Sequence, residues 1–228
     1  MTPDDLTLTQ DELDALGDVA GMEVLVHVGG GVGAEALSIA AMGAHVVALV
    51  PFNLGDPLEA ETIRRTGAEQ GIEIEVIDLE EQAYPEDIRD QSFDIVYVGP
   101  MSTCWVSDHD GWAHDLFEAL APAGKLVLYD EHPDSYQLIP LSEEDEGEVE
   151  KIEEALEEGL AEDVTGPLPD RFDWTVDEFL AVLERAGFDP IEAIDLVGPA
   201  RFLTPVDIVA GEPSDVPGAL LVVARKPA

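Results

Sequence analysis

Glycines at 29, 31 and 33 follow directly on the apolar run at 24–28 and open an alanine-rich segment, within VLVHVGGGVGAEALSIAAMGAHVVALV at 24–50. Glycines at this spacing allow a tight turn and let bare backbone N–H groups approach a ligand at a helix N-terminus. Farther on, Ile77-Asp78-Leu79 ends a strand-like run. A carboxylate followed by an apolar side chain there could bracket an adenine, the carboxylate accepting from its exocyclic amine. A glycine loop alone is weak evidence, since any strand-to-helix turn can use one. Three alternate glycines at the first crossover favour a ligand. Cys104, between Thr103 and Trp105, has nothing basic beside it to lower its pKa and reads as a packed small residue. His132 could be a base or a structural histidine. Trp105, Trp112 and Tyr136 read as core before pocket lining. No acid–base pair is evident, so no catalytic residue is assigned.

The segments that must hold these residues alternate in type. Residues 24–50 read as strand, turn, helix and strand. Asp56-Pro57-Leu58-Glu59 places a capping residue, a proline and an acid in helix-starting order, which predicts a helix to about Gln70, stopped at Gly71. Further strands are expected at 72–77, 94–98, 125–129, 190–196 and 219–224, and helices at 112–120 and 176–186. The last helix is opened by the capping box Thr175-x-x-Glu178 and ended by Gly187. Pro122-Ala123-Gly124 reads as a turn. The alternation predicts an α/β fold, a Rossmann-like and mostly parallel sheet with helices on both faces. Residues 142–163 carry twelve acids and one lysine, with Val149, Ile152, Leu156 and Leu160 at helical spacing. They predict an acidic helical insertion at about 141–170, packed on the surface or lying over the site as a lid.

A chain of 228 residues is most simply one domain, 1–228, long enough to bury a sizeable core. Its net charge is −41, from 51 Asp plus Glu against 10 Lys plus Arg, yet its mean hydropathy is +0.04 and its β-branched runs argue against disorder. The acids are spread along the whole chain. That favours adaptation to molar salt, where the Debye length falls to about 3 Å, over a local partner-binding surface. Such a surface repels phosphate backbones, so nucleic acid is not the expected partner. No apolar run approaches the ~20 residues that span a bilayer, and the N-terminal residues lack the basic and apolar regions of a signal peptide. One cysteine excludes an internal disulfide and a thiolate-rich zinc site. The expectation is a soluble, cytoplasmic protein with no metal and no membrane contact.

Four stretches make the glycine loop more specific: Asp78-Leu79, Phe93-Asp94-Ile95-Val96-Tyr97, LAPAGKLVL at 120–128 and the terminal LLVVARK at 220–226. Together they resemble class I S-adenosylmethionine-dependent methyltransferases over nearly the whole chain. TCWVSDHDGWA at 103–113 and Tyr129-Asp130-Glu131-His132-Pro133 are similar to the Cys-Trp…Trp-Ala and Glu-His-Pro stretches of a small-molecule-type subgroup. Trp174-Thr175…Ala186-Gly187-Phe188 resembles its late helix. The resemblance implies a seven-stranded sheet whose last strand, 219–224, is antiparallel. It implies S-adenosylmethionine as cofactor, with the methionine part against Gly29, Gly31 and Gly33 and the adenine at Asp78 and Leu79. It also implies methyl transfer to a small molecule.

Two departures stand out. His27 occupies the position of an acid before the glycine loop, and Val50 ends the second strand where the resemblance requires a ribose-binding acid. Asn53 or Asp56 could reach the ribose instead, although the capping pattern gives Asp56 a competing task. Two other readings stay open. Gly29-x-Gly31-x-x-Ala34 also fits a dinucleotide fingerprint, which would make the chain an NAD(P)-binding oxidoreductase, but the acid expected about 20 residues on is missing. The loss at Val50 would equally suit a non-enzymatic protein that retains the methyltransferase fold.

Overall fold

The computed structural model describes residues 7–29, 33–51, 59–79, 84–100, 102–103, 106, 108–133, 175–197 and 217–228. Gly31, Asn53, Asp56, Cys104, Trp105, Tyr136 and the expected insertion at 141–170 lie outside the described residues.

Seven strands form one sheet in the order β3-β2-β1-β4-β5-β7-β6. They are β1 (Glu23–His27), β2 (His45–Val50), β3 (Glu75–Asp78), β4 (Phe93–Val98), β5 (Leu120–Glu131), β6 (Ile191–Val197) and β7 (Pro217–Arg225). The first five pair in parallel, and β7 runs antiparallel between β5 and β6. The antiparallel strand expected from the terminal LLVVARK is therefore β7. Strand order reverses at β1, so β1 and β4 flank the switch point, the place where α/β sheets open a crevice above their carboxyl ends.

Strand side chains alternate between two faces. Leu25, Val96, Val98, Leu126, Leu128 and Val222 point to one, where α4 (Glu86–Arg89), α5 (His109–Ala119) and α6 (Val176–Ala186) supply Ile88, Trp112, Leu116, Phe179 and Leu183. Val24, Val26, Ile95, Tyr97, Val127 and Leu221 point to the other, covered by α1 (Gln10–Leu16), α2 (Ala34–Ala41) and α3 (Glu59–Gln70) through Leu16, Leu37, Ile39 and Ile63. Each such burial contributes about 1.5–3 kcal/mol. The expected α/β class, with helices on both faces, is what the chain adopts.

Local chemistry explains the boundaries. α6 spans the expected 176–186: Thr175 and Glu178 cap each other reciprocally, and Gly187 closes the helix at φ 110°. The same device starts α1, a helix not expected from the sequence, through Thr9 and Glu12. The buried Glu12 also accepts from the Tyr97 hydroxyl at 2.6 Å, and Lys125 Nζ donates to the Ala15 and Leu16 carbonyls at the other end of α1. β3 begins at Glu75 instead of 72, because Ile72 N–H is still donating to the Gly67 carbonyl of α3. Residues 122–124 make a bulge inside β5 in place of the expected turn. Pairing with β4 jumps from Phe93–Leu120 to Ile95–Lys125, and Ala123 sits at φ 65°.

Candidate functional site

Gly29, Gly33, Val50, Asp78 and Leu79 end or follow β1, β2 and β3 at the carboxyl edge of the sheet, the edge at which α/β folds bind ligands. The glycines have tight reasons of their own. A Cβ on Gly29 would stand 1.8 Å from the Pro100 carbonyl oxygen, because the chain leaving β4 passes directly against the chain leaving β1. Gly99 N–H donates to the His27 carbonyl at 3.0 Å in the same crossing. Gly33 holds φ +69°, and a Cβ there would meet the Ile63 side chain at 2.3 Å. Gly29 is thus required by a backbone crossing and Gly33 by its left-handed φ, whatever binds nearby. Gly33 is also the N-cap of α2 and brings no side-chain acceptor to its first turn. A helix start without a side-chain cap leaves backbone N–H groups for an anionic ligand.

Asp78 ends β3 opposite Val50, and its carboxylate is 59% exposed. Arg64 of α3 reaches it: one nitrogen, Nη2, donates at 2.9 Å to Asp78 Oδ2 and at 2.9 Å to the Val76 carbonyl. Leu79 is buried beside it, and its N–H donates to the Val50 carbonyl at 2.9 Å, lengthening the β2–β3 ladder by one residue. Val50 itself is only 5% exposed and belongs to the apolar cluster under α2 and α3. Its side chain is a core group. Val50→Asp, the obvious way to restore an acid at this position, would put a carboxylate into that cluster and incur the burial penalty of an unpaired charge.

His27 ends β1 in a buried polar chain that the sequence did not reveal. Its Nδ1 lies 2.7 Å from the Tyr84 hydroxyl, the rings stack at 5.7 Å between centroids, and Trp112 meets His27 edge-on at 6.2 Å. Tyr84 N–H in turn donates to Asp115 Oδ2 at 2.9 Å, and Asp115 faces Arg89 at 3.6 Å. Burial lowers the His27 pKa to about 4. Burial and the Asp115 carboxylate raise that of Tyr84 well above 10, against a smaller pull from the Trp112 indole N–H. Both rings are therefore neutral at pH 7, and we assign the phenol as donor and Nδ1 as acceptor. The acid of the resembling family is replaced here by an uncharged imidazole.

This pair has a measurable consequence. The folded-state pKa lies below the ordinary His value of 6.5, so the unfolded chain takes up the proton first as pH falls. The contribution of His27 is full above pH 6.5 and is lost between 6.5 and 4, a loss of about 3 kcal/mol at full titration. His27→Asn keeps an acceptor for Tyr84 and does not titrate. In urea unfolding at constant molar salt, the wild type should lose about 3 kcal/mol more than His27→Asn between about pH 7.5 and 4. Parallel pH dependence in the two proteins would refute the assignment.

At the carboxyl end of β5, Asp130 Oδ2 accepts from Thr103 N–H at 3.1 Å and from Thr103 Oγ1 at 2.6 Å, while Oδ1 accepts from Glu131 N–H at 2.8 Å. Asp130 therefore staples the β4–α5 connection to β5. His132 is buried, with Nε2 3.3 Å from Asp195 Oδ1 on β6, so it ties β5 to the sheet edge across β7. Trp112 packs against His27 and Phe179, the core role expected for it. Among the described residues no group of three or more His, Cys, Asp or Glu side chains could hold a metal ion. No helix among them is long and apolar enough to cross a membrane.

No family model matches the sequence, and no curated protein matches it. Solved structures do. An S-adenosylmethionine-dependent methyltransferase from Mesorhizobium loti is 22% identical, with TM-score 0.63, over 95% of this chain and 96% of its own. A protein from Listeria monocytogenes described as a putative S-adenosylmethionine-dependent methyltransferase is 16% identical, with TM-score 0.63, over 96% of this chain and 97% of its own. The cyclase SpnF is 16% identical, with TM-score 0.64, over 96% of this chain and 80% of its own. The chain has the Rossmann-like methyltransferase fold, a fold that a protein named a cyclase shares, so the chemistry must be argued from the site.

Proposed function

We propose that this chain is an S-adenosylmethionine-dependent methyltransferase acting on a small molecule. The observation that carries the reading is Asp78: an exposed carboxylate at the carboxyl end of β3, with Leu79 buried beside it and one oxygen not engaged by Arg64. That is an acceptor suited to an exocyclic amine. The loop through Gly29, Gly31 and Gly33 and the start of α2, whose N-cap glycine makes no side-chain cap, suit the methionine carboxylate. Leu79, expected beside the adenine, is packed in the core and offers it little apolar surface, and Asp56 is the candidate for the ribose. The bound cofactor supplies an electrophilic methyl group on a sulfonium. The chain has to orient the acceptor in line with it and exclude water, and a general base is needed only for an unactivated hydroxyl or ammonium. No catalytic residue is assigned. The acidic surface favours a small-molecule acceptor over nucleic acid and, with its acids spread over the chain, a cytoplasmic setting of high salt.

Val50 favours a second reading, a protein that retains the fold for binding without turnover, since its apolar side chain leaves the ribose without an acid from β2. Release of S-adenosylhomocysteine from bound S-adenosylmethionine in the presence of an acceptor separates turnover from binding alone, and calorimetric titration in molar KCl tests the cofactor itself. S-adenosylmethionine and S-adenosylhomocysteine should bind and NAD should not. Affinity should fall below that of a site with a ribose carboxylate, whose hydrogen bonds are each worth about 1.5–3 kcal/mol. NAD binding without S-adenosylmethionine binding would return the chain to the oxidoreductase reading. Silence with all three ligands would remove the methyltransferase reading.

A further inference from the structure

We infer that Arg64 is a positioning residue for purine recognition: by holding one oxygen of Asp78, it presents the other as a fixed acceptor that selects a 6-amino purine over a 6-oxo purine. The inference rests on the methyltransferase reading of the site and adds to it the residue that sets its base specificity. A lone aspartate at the rim of a sheet turns freely about its side-chain bonds. Here Arg64 Nη2 is itself anchored, because it donates to the Val76 carbonyl within β3 as well as to Asp78 Oδ2, both at 2.9 Å. The guanidinium therefore orients the carboxylate against the strand that carries it.

The backbone beside it narrows recognition further. Leu79 N–H is committed to the Val50 carbonyl at 2.9 Å and is not available to a base edge. Among the described residues of β3 and its end, reading of the base at this point falls to the second Asp78 oxygen, which accepts and cannot donate. An amino group on the ring meets that oxygen as a donor. A carbonyl at the same ring position meets it as a second acceptor. Immobility matters for both, since a fixed oxygen is already placed for the amine and cannot swing away from the carbonyl. Cations are scarce in this chain, 10 Lys plus Arg against 51 acids, and the neighbouring Arg65 makes an ordinary helix-surface pair with Glu69, 3.4 Å away. Arg64 instead leaves its helix to bridge to β3.

The test is titration of S-adenosylhomocysteine and of S-inosylhomocysteine, its 6-oxo counterpart, into wild type, Arg64→Met, Arg64→Gln and Arg65→Met in molar KCl. Wild type and Arg65→Met should prefer the amino ligand by about tenfold to a hundredfold, the range of one hydrogen bond to a charged acceptor. Both Arg64 variants should bind the amino ligand about threefold to tenfold more weakly and lose most of the preference, with ligand-free melting unchanged. A purely structural role would weaken both ligands equally and leave their ratio intact, which would overturn the inference while keeping the cofactor reading. A wild type that binds both ligands with equal affinity would overturn it in the same way. If wild type binds neither ligand, the cofactor reading falls and takes this inference with it.

Discussion

Gly29→Ala should lower the thermal midpoint by about 10 °C or more, or prevent folding altogether. The added methyl carbon would stand 1.8 Å from the Pro100 carbonyl oxygen, 2.7 Å from its carbon and 2.8 Å from the Gly99 carbonyl carbon. All three are backbone atoms, so no side chain can rotate away. Relief requires parting the chain where β1 and β4 exit the sheet, and that would break the Gly99-to-His27 hydrogen bond. Overpacking of a closed site typically costs about 1–3 kcal/mol and more when backbone must shift. In a domain of this length each kcal/mol moves the midpoint by roughly 2–4 °C. Gly71→Ala is the internal comparison. Gly71 also has positive φ, +70°, but nothing lies within 4 Å of its added Cβ, so only backbone strain of about 1 kcal/mol applies. Equal midpoints for the two variants would show that the crossing at Pro100 yields more easily than its geometry implies. The crossing also bears on function: a glycine at 29 is needed to close the switch point whether or not a ligand sits there.

The second large effect is expected from salt. A net charge of −41 acts on a structure whose exposed acids are spread over the described elements, from Asp11 and Asp14 on α1 through Glu69 on α3 and Glu118 on α5 to Glu184 on α6 and Glu192 on β6. The described cations do little to offset them. Lys125 and Lys226 donate to backbone carbonyls at the ends of α1 and α5, and Arg64, Arg65, Arg89 and Arg185 each face one carboxylate. Self-repulsion destabilises the compact state until counterions screen it. The Debye length shrinks from about 10 Å at 0.1 M to about 3 Å at 1 M. Thermal unfolding followed from dilute buffer to molar KCl should therefore show the midpoint rising by on the order of 10 °C or more, corresponding to about 3 kcal/mol or more in a chain of this size. The rise should be continuous and similar with NaCl, since screening is not ion-specific at this level. A flat profile would point instead to an acidic surface built for a partner.

Much of the architecture is legible from the chain because it is set by neighbours in sequence. The capping box at Thr175 and Glu178 and the stop at Gly187 are signals spanning a turn or less, and α6 covers the expected residues. Residues 95–98 of β4 and 219–224 of β7 are continuous apolar runs with few competing conformations. The α/β alternation follows from those runs and their order, whereas the antiparallel direction of β7 was implied only by the resemblance of the chain to methyltransferases. Asp78 at a strand end was legible for the same reason. What the sequence could not contain is which distant groups meet. His27 and Tyr84 are 57 residues apart, and Arg64 and Asp78 are 14 apart, on different elements. Gly29 meets Pro100 only because β1 and β4 are neighbours in the sheet. Val50 could be read as a missing acid, but only the stacking of α2 and α3 on β2 makes it a core residue. Local propensities are decided within a turn or two of chain and can be read off it. Burial, charge pairing and backbone crossings are decided by the sheet order, and tertiary structure alone assigns them.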